Sequence, residues 1–506
     1  MDSNLVPTKN RFAAPRWTTD SPEWQALDRQ LPADHRARLI EAFVNGLGLS
    51  ELEDLYRGSG SLAHPPELML KIALDETLEG HLAPRAWARH LNDHLPLQWL
   101  AMGIRPSRTA LYNFRDRLGH VIQALLADVV ATAQSEGFVQ GRQGVLDGST
   151  VRAQASRHRL LNQSRLHKRL EVLNNAVAAD VAGQPGTERP GWIALTVSGR
   201  REQLQRYLEA QAVLERRLAE NARKPKDRRL DPEKVMVSVS EPEAPLGRDK
   251  EKVFGPLYTF EFIIEPCSLL IVAFDVFAQA TDAGTLPPML DQAEEMLSRA
   301  LDTLITDAGF VSILDLQACE QRHVELIAPI HENDYTKAKA KTKAPSEPPL
   351  GKDQFTWDPT EQTYRCPQGH RLDYIRQQRK ARRQGDSVVL DQYQCPASYC
   401  QECPLRSRCV KDPSKGRLVT RTQGEELLEA HRQRMATPEA QKLRKLRGQV
   451  IERSFGDAKQ HRAVRKLHGR GLLRAKAEIG LVVLAQNALM LHRLRQKAVN
   501  PGEIAA

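Results

Sequence analysis

From Pro32 to about Phe138, apolar residues recur every three or four positions and strand signals are scarce, which predicts a helical N-terminal region. Its sharpest piece is PSRTALYNFRDRLGHVIQALL. Ser107 is placed to cap a helix there, and Leu111, Phe114, Leu118, Ile122 and Leu125 share its apolar face. The outer face is expected to show Arg108, Thr109, Tyr112, Asn113, Arg115 and Arg117. With a preceding helix around Trp87 to Leu91, two readings are open: a helix-turn-helix that lays its second helix on DNA, or an amphipathic packing helix with a solvated face. The period changes at GRQGVLDGSTVRAQAS, where Gly144 to Asp147 reads as a strand that stops on a carboxylate. From Ser156 to about Glu233 the chain is charged and helical, broken by a turn at Gly183 to Gly191. Leu204, Tyr207, Leu214 and Leu218 keep heptad spacing with Gln211 interrupting the seam, which predicts an inserted helical hairpin. Strands resume at YTFEFIIEP and SLLIVAFDVFAQ. A helix at TLPPMLDQAEEMLSRAL, a strand at DTLITDAGF, a helix from Ser312 to Gln321 and a strand at VELIAPI follow, an order that fits a mixed α/β sheet. Asn333 to Pro349 is Lys/Ala/Pro-rich and reads as a linker, and Thr437 to Lys497 returns to long helices.

Composition narrows the partners. A chain of 506 residues implies several domains, and 41% hydrophobic with 27% charged residues is globular. The 5% aromatic content argues against a binder that works by stacking on bases or sugars. A net charge of +10 points to a polyanion, and Gln441 to Lys497 concentrates fifteen Lys and Arg against three acids. Nucleic acid is favoured over membrane, because no window approaches the length of an uncharged apolar span. The start MDSNLVPTKNRF has no apolar stretch, so a cytoplasmic protein is expected.

Five of the seven cysteines fall between Cys366 and Cys409, a clustering that suits a metal site in a reducing compartment. Their spacing is C-x28-C-x4-C-x2-C-x5-C, with His370 and His431 in the vicinity. A structural zinc ion held by Cys366, Cys400, Cys403 and Cys409 is the preferred reading, with Cys395 as an alternative ligand. An iron–sulfur cluster would use the same thiolates. Cys267 and Cys319 sit in apolar patterns and are expected to be buried packing residues.

Carboxylates at the ends of apolar strands are the residues that phosphodiester chemistry needs. Hard divalent ions take carboxylate oxygens, and these must converge from separate elements. Asp147 in VLDGS and Asp307 in LITDAG qualify by position, although either also reads as a turn residue. The second TDAG carries Asp282 ahead of a helix, where it is explained as a helix-start residue, so Asp307 is preferred. Glu452 in QVIERSFGDAKQH is the third acid. On a helix it shares a face with Phe455 and Lys459, unless it simply pairs with Lys445 or Lys459.

These blocks together resemble bacterial insertion-sequence transposases of the DDE class, particularly the insertion-sequence-1182 group, related to the insertion-sequence-4/5 type. HPPELMLKIALDETLEGHLAPRAWARHL and WLAMGIRPSRTALYNFRDRL look like that group's N-terminal domain. GVLDGSTVRAQAS is similar to the block with the first Asp, Asp147, and LITDAGFVS to the block with the second, Asp307. GRDKEKVFGPLYTFEFIIE and DVFAQATDAGTLPPML resemble intervening blocks, and YRCPQGH with CQECPLRSRC resembles the Cys-rich segment. VIERSFGDAKQHRAVRKLHGRGL is similar to the block with the final Glu, Glu452, and keeps the Glu-to-Lys spacing to Lys459. There is one departure: relatives carry Arg and Tyr four and seven residues before the Glu, where this chain has Gly448 and Lys445, with Arg447 nearest.

The resemblance implies an α/β catalytic core with a ribonuclease H-like mixed sheet, a helical N-terminal domain, an inserted helical hairpin and a Cys-rich metal-binding insertion. The expected boundaries are 1–138 for the N-terminal DNA-binding domain, 139–332 for the first part of the core with its insertion at 156–235, 333–436 for linker and Cys-rich insertion, and 437–506 for the C-terminal helical part. It implies a DNA transposase that binds terminal inverted repeats, cleaves strands and transfers the 3′-hydroxyl. Asp147, Asp307 and Glu452 would hold two Mg²⁺ (or Mn²⁺) ions, Lys459 would assist, and a structural Zn²⁺ would sit on the cysteines. Double-stranded DNA is the expected partner, bound by a homodimer in the bacterial nucleoid. Arg108, Tyr112, Asn113, Arg115, Arg447, Arg453, Arg462, Arg465 and Lys466 are the candidate DNA contacts. The alternative reading is an inactive or repurposed zinc-stabilised DNA-binding protein.

Overall fold

A computed structural model describes residues 11–58, 61–184, 190–330, 349–381, 387–410 and 412–499. The expected linker, residue 349 apart, and the tip of the expected hairpin turn, residues 185–189, lie outside the described residues. The central sheet is built on β1 (Gln143–Arg152). β2 (Leu160–Leu161) and β3 (Val237–Ser238) form a small pair at the base of the hairpin. β4 (Leu246–Arg248) and β6 (Ile271–Phe277) both line the outer side of β5 (Phe254–Ile264). β5 pairs antiparallel with β1, and β7 (Thr303–Ile305) and β8 (Glu325–Ile327) continue the sheet in parallel. FGPLYTFEFII and IVAFDVF form strands because aromatic and β-branched side chains fill both faces of a covered sheet.

The strands expected at YTFEFIIEP, SLLIVAFDVFAQ, DTLITDAGF and VELIAPI form as β5 to β8; β2, β3 and β4 are additions, and β1 ends differently from the expectation. It runs on to Arg152 rather than stopping at Asp147. What stops is its partner: β7 pairs with β1 only through Val145↔Ile305.

The helical hairpin forms as expected from helices Gln163–Val181 and Val197–Arg223. It has its own apolar cluster, including Leu166, Leu170, Leu173, Tyr207 and Leu214. Arg200 grips Asp180 with two hydrogen bonds of 2.5 and 2.6 Å, tying one helix to the other.

The N-terminal helices are packed onto the sheet, and one apolar core runs from Leu31 to Leu491, across the boundary expected at 138. Helix Arg108–Ser135, capped by the Ser107 hydroxyl on the Ala110 N–H at 3.1 Å, lies along the C-terminal helix Leu472–Val499. Both touch the edge of the sheet through polar groups. Gln123 donates to the Phe274 carbonyl at 2.9 Å, and Asn487 exchanges two hydrogen bonds with the backbone of Ile271. Such partners satisfy backbone groups that an edge strand would otherwise leave open.

Two expectations for this region are corrected. A further helix, Leu95–Leu100, stands between Trp87 and the Arg108 helix, so the two are not joined by the short turn of a helix-turn-helix. Arg115 is not on an outer face: it is 3% exposed, with its guanidinium 2.7 Å from Asp116 and 3.2 Å from the buried Glu478.

The Cys-rich region folds as a separate antiparallel sheet. Its strands are β9 (Thr356–Asp358), β10 (Thr363–Arg365), β11 (Arg371–Ala381), β12 (Ser387–Gln394) and β13 (Leu418–Thr422), in the order β13-β12-β11-β10-β9. Phe355, Tyr364, Leu372, Tyr393 and Val419 form its core beside Cys395 and Cys400. Among the described residues no helix is long and apolar enough to cross a membrane.

Candidate active site

Asp147 and Asp307 occupy equivalent places on neighbouring parallel strands. Each lies two residues past the last paired position, Val145 on one strand and Ile305 on the other. The carboxyl ends of parallel strands splay there and leave a crevice, the usual place for a site in open α/β sheets. Asp307 is held by its own turn, accepting from the Gly309 N–H at 2.7 Å, and Asp147 accepts from the Gly148 N–H at 2.8 Å.

Arg447, expected as a DNA contact, reaches into this crevice from helix Pro438–Gly456. Its Nη2 lies 3.0 Å from Asp147 Oδ2 and 3.6 Å from Asp307 Oδ2, while its Nε is buried without a hydrogen-bond partner. Phe455, two turns further along, fixes the helix by stacking on Phe260 and Phe262 at ring distances of 5.5 and 4.9 Å. Lys459 then reaches back to β1 and donates to the Ser149 hydroxyl. Alternation along a strand puts Ser149 on the same face as Asp147, so Arg447 and Lys459 anchor the helix to one stripe of β1.

Glu452 lies between these anchors, with an exposed side chain and no hydrogen bond or ion pair among the described residues. The pairs with Lys445 or Lys459 that would have explained it away do not form. The structure thus brings Asp147, Asp307 and Arg447 together and leaves the Glu452 carboxylate on the overlying helix, uncommitted.

Two further acids approach β1 at Gly148, on the face opposite Asp147. A Cβ added to Gly148 would come within 2.7 Å of Asp282 Oδ1 and 3.1 Å of Glu261 Cγ. A Cβ on Gly309 would meet Asp282 Oδ2 at 3.9 Å. The glycine of Asp-Gly therefore makes room for Asp282, whose backbone carbonyl accepts from Thr285 while its carboxylate lies near Asp307 and Asp147. The helix-start explanation does not account for that orientation, and the repeated TDAG was the signal for it. Glu261, opposite Gly148 on β5, is wholly buried with neither carboxylate oxygen hydrogen-bonded.

Electrostatics follow from this crowding. Burial raises the Asp147 carboxyl above its ordinary range against the pull of Arg447. Asp282 is pushed up to about 6 by burial and then by Asp307 and Asp147. Glu261 is pushed up to about 9 by burial, reinforced by Asp282, Asp147 and Asp275. Burial and Lys250 bring the Lys459 ammonium down to about 8. Mutually repelling carboxylates with one guanidinium between two of them make a donor set suited to a hard divalent cation, and Arg447 occupies a cation's place.

The remaining expected contacts divide. Arg108, Asn113, Arg453, Arg465 and Lys466 are exposed and Tyr112 is half-buried. Arg462 is spent on structure, clasping Asp457 with two contacts of 3.0 Å and donating to the Leu78 carbonyl. Lys466 lines a groove at the far end of β1 together with Arg152, Arg157, His158 and Arg470, residues the sequence had not singled out.

All five clustered cysteines line one cavity, with His370 beside them. Cys366 opens a tight turn in which its N–H meets the His370 carbonyl at 2.9 Å and its own carbonyl takes the Gly369 N–H at 2.8 Å. Burial and the neighbouring Cys400 push the Cys395 thiol up to about 12, and burial raises Cys409. Thiolates are the donors that zinc takes, although among the described residues no three of these sulfurs lie within 4.8 Å of one another. His431 is corrected: it is buried elsewhere, with Nε2 2.8 Å from the Ala328 carbonyl. Cys319 is a buried packing residue as expected, whereas Cys267 is exposed in the β5–β6 turn.

Two family models match the chain, a Transposase DDE domain over residues 365–492 and a Transposase domain (DUF772) over residues 25–117. No curated protein matches it. Glu452 and the five clustered cysteines fall inside the first match, while Asp147 and Asp307 lie outside both. The matched segments, one on the N-terminal helices and one from the cysteine module through the C-terminal helix, support a transposase of the DDE type.

Proposed function

We propose that the chain is a DNA transposase of the insertion-sequence-1182 group that binds terminal inverted repeats as a homodimer, cuts at the element ends and joins the freed 3′-hydroxyl to target DNA. The observation that carries this is the equivalent placement of Asp147 and Asp307 past Val145 and Ile305 on adjacent parallel strands, bridged by a cation from the Glu452 helix. The central order of β6, β5, β1, β7 and β8, with β5 antiparallel to the rest, supports a ribonuclease H-like core.

Asp147 and Asp307 would hold Mg²⁺ or Mn²⁺, with Glu452 completing the set and Asp282 as a further carboxylate. Bound there, a pair of ions supplies charge neutralisation on the attacking and leaving oxygens and a more acidic water. The chain's own part is positioning. Arg447 leaves the carboxylates and becomes free to take a phosphate oxygen, a role suited to its planar fork. Lys459, next along the same stripe of β1, offers a point charge to the cut end. The groove of Arg152, Arg157, His158, Lys466 and Arg470 gives the duplex a basic path continuing from the acids. On the cysteines, a zinc ion would hold the β9–β13 sheet together, a structural task.

The test is nicking of DNA that carries the element's own ends, with Mg²⁺ present and absent. Site-specific, Mg²⁺-dependent nicking is expected. Tight binding of those ends without nicking favours the alternative of an inactive, zinc-stabilised DNA-binding protein.

A further inference from the structure

Helix Pro66–Leu78 is buried along nearly its whole length, and it carries Glu76, whose side chain is 1% exposed. A carboxylate so placed needs a cation or several donors. The chain turns at Gly80 and sets His81 against it, with Nδ1 3.1 Å from Glu76 Oε2. Helix Pro84–His90 then returns with His90, whose Nδ1 lies 2.9 and 3.0 Å from the two Glu76 oxygens. The three ligand atoms all lie within 4.8 Å of one another, the one group of this kind among the described residues. His81 Nδ1 is buried and makes no hydrogen bond. His94 stacks on His90 at a ring distance of 4.4 Å.

We propose that Glu76, His81 and His90 form a binding site for a divalent transition metal ion of the zinc type, separate from both the acid crevice and the cysteine cavity. The donor set is two imidazoles and one carboxylate. Imidazole selects zinc and its neighbours over magnesium or calcium. Tetrahedral ligands at about 2.0–2.2 Å from zinc stand roughly 3.3 Å from one another, so the Glu76–His separations of 2.9 and 3.1 Å need only a small outward shift. Three protein ligands leave a fourth position for water.

Loading the site moves protons in a defined way. Arg89 Nη2 lies 2.8 Å from His90 Nε2, and a guanidinium only donates, so without metal Nε2 accepts and the Nδ1–H faces Glu76. With metal on Nδ1 the ring's proton resides on Nε2, and the exposed Arg89 side chain turns away.

The ion would be structural, and its place says what it stabilises. The turn it pins touches the segment just after the Glu452 helix: a Cβ on Gly80 would stand 2.9 Å from the His461 carbonyl, and Arg462 donates to the Leu78 carbonyl. The site thus fixes the junction between the N-terminal helices and the catalytic helix.

The test uses the full chain, stripped by chelator, reloaded with Zn²⁺ alone and freed of excess, beside His81→Gln, whose half-exposed side chain tolerates replacement. A thiol-reactive mercurial releases zinc held by cysteines, and total metal is measured separately. Wild type is expected to keep about one equivalent that the mercurial does not release, and His81→Gln to lose it or bind it at least about tenfold more weakly. Loaded with Co²⁺, that site should give visible d–d bands without sulfur charge-transfer absorption. Mercurial-resistant metal that is equal in wild type, His81→Gln and Glu76→Gln, or absent from a wild-type chain folded by circular dichroism, overturns the proposal in favour of a metal-free His–Glu cluster.

Discussion

Arg447 and Asp147 form an ion pair of 3.0 Å in which one guanidinium nitrogen also stands 3.6 Å from Asp307. A cation from the protein therefore holds the two acids together, and any metal ion must compete with it. Removing the competitor should tighten metal binding. In Arg447→Ala the Mg²⁺ concentration for half-maximal thermal stabilisation is expected to fall about tenfold, roughly one charge-assisted contact. The same variant should cut DNA poorly, because the fork that grips phosphate is gone. Unchanged or weaker Mg²⁺ stabilisation would show that Arg447 does not compete for these acids.

Glu261 yields a pH prediction. Its carboxyl is raised from 4.5 to about 9 in the fold, so between those values the folded chain keeps a proton that the unfolded chain has released. Stability attributable to this group is intact below pH 4.5 and is lost as pH rises through that window, at most about 1.4 kcal/mol per pH unit. Glu261→Gln has no proton to lose. Denaturant titrations without divalent ions should find the variant gaining on wild type from pH 5 to 9, and parallel curves would contradict the neutral assignment.

Arg115 and Arg108 separate packing from recognition on one helix. Arg115→Ala leaves Glu478 buried without its guanidinium and should cost about 3–5 kcal/mol. Arg108 is exposed, so Arg108→Ala should leave unfolding within about 0.5 kcal/mol of wild type. If this end of the helix meets phosphate, that variant also lowers DNA affinity and reduces the salt slope by about one. Equal melting of the two variants would contradict the buried-pair account.

The strands β5 to β8 were legible because apolar runs such as IVAFDVF leave little else for those residues to do, and Asp307 was read correctly as lying past a strand end, whereas Asp147 lies within β1. Legibility failed where a partner is remote in sequence. Arg115 looked outward because Glu478, 363 residues away, is invisible to a helical wheel. Asp282 shared its TDAG with Asp307, and only the fold shows that its carboxylate passes Gly148 to reach the same crevice. The strand β11, RLDYIRQQRKA, has polar residues on both sides and so gave no alternation to read. The docking of the Glu452 helix on the sheet followed from Ile451 and Phe455, which bury as docking residues should.

The cysteine cavity predicts a selective loss. Cys400→Ser should remove about one equivalent of zinc and expose the β9–β13 sheet to proteolysis, because a small sheet of this kind draws much of its stability from its metal. Cys267→Ser, at an exposed turn outside the cavity, should do neither. Zinc content that is the same in both variants would remove the metal from this part of the account.

The most direct test of the central claim is single-turnover cleavage of DNA carrying the element end, comparing wild type with Asp147→Asn and Asp307→Asn in Mg²⁺, with binding measured on the same samples. Each substitution keeps the shape of the side chain and removes its charge. Binding within about threefold of wild type and a cleavage rate lower by a thousandfold or so are expected for both. Cleavage at the wild-type rate by either variant would contradict the assignment of these two acids as the catalytic centre.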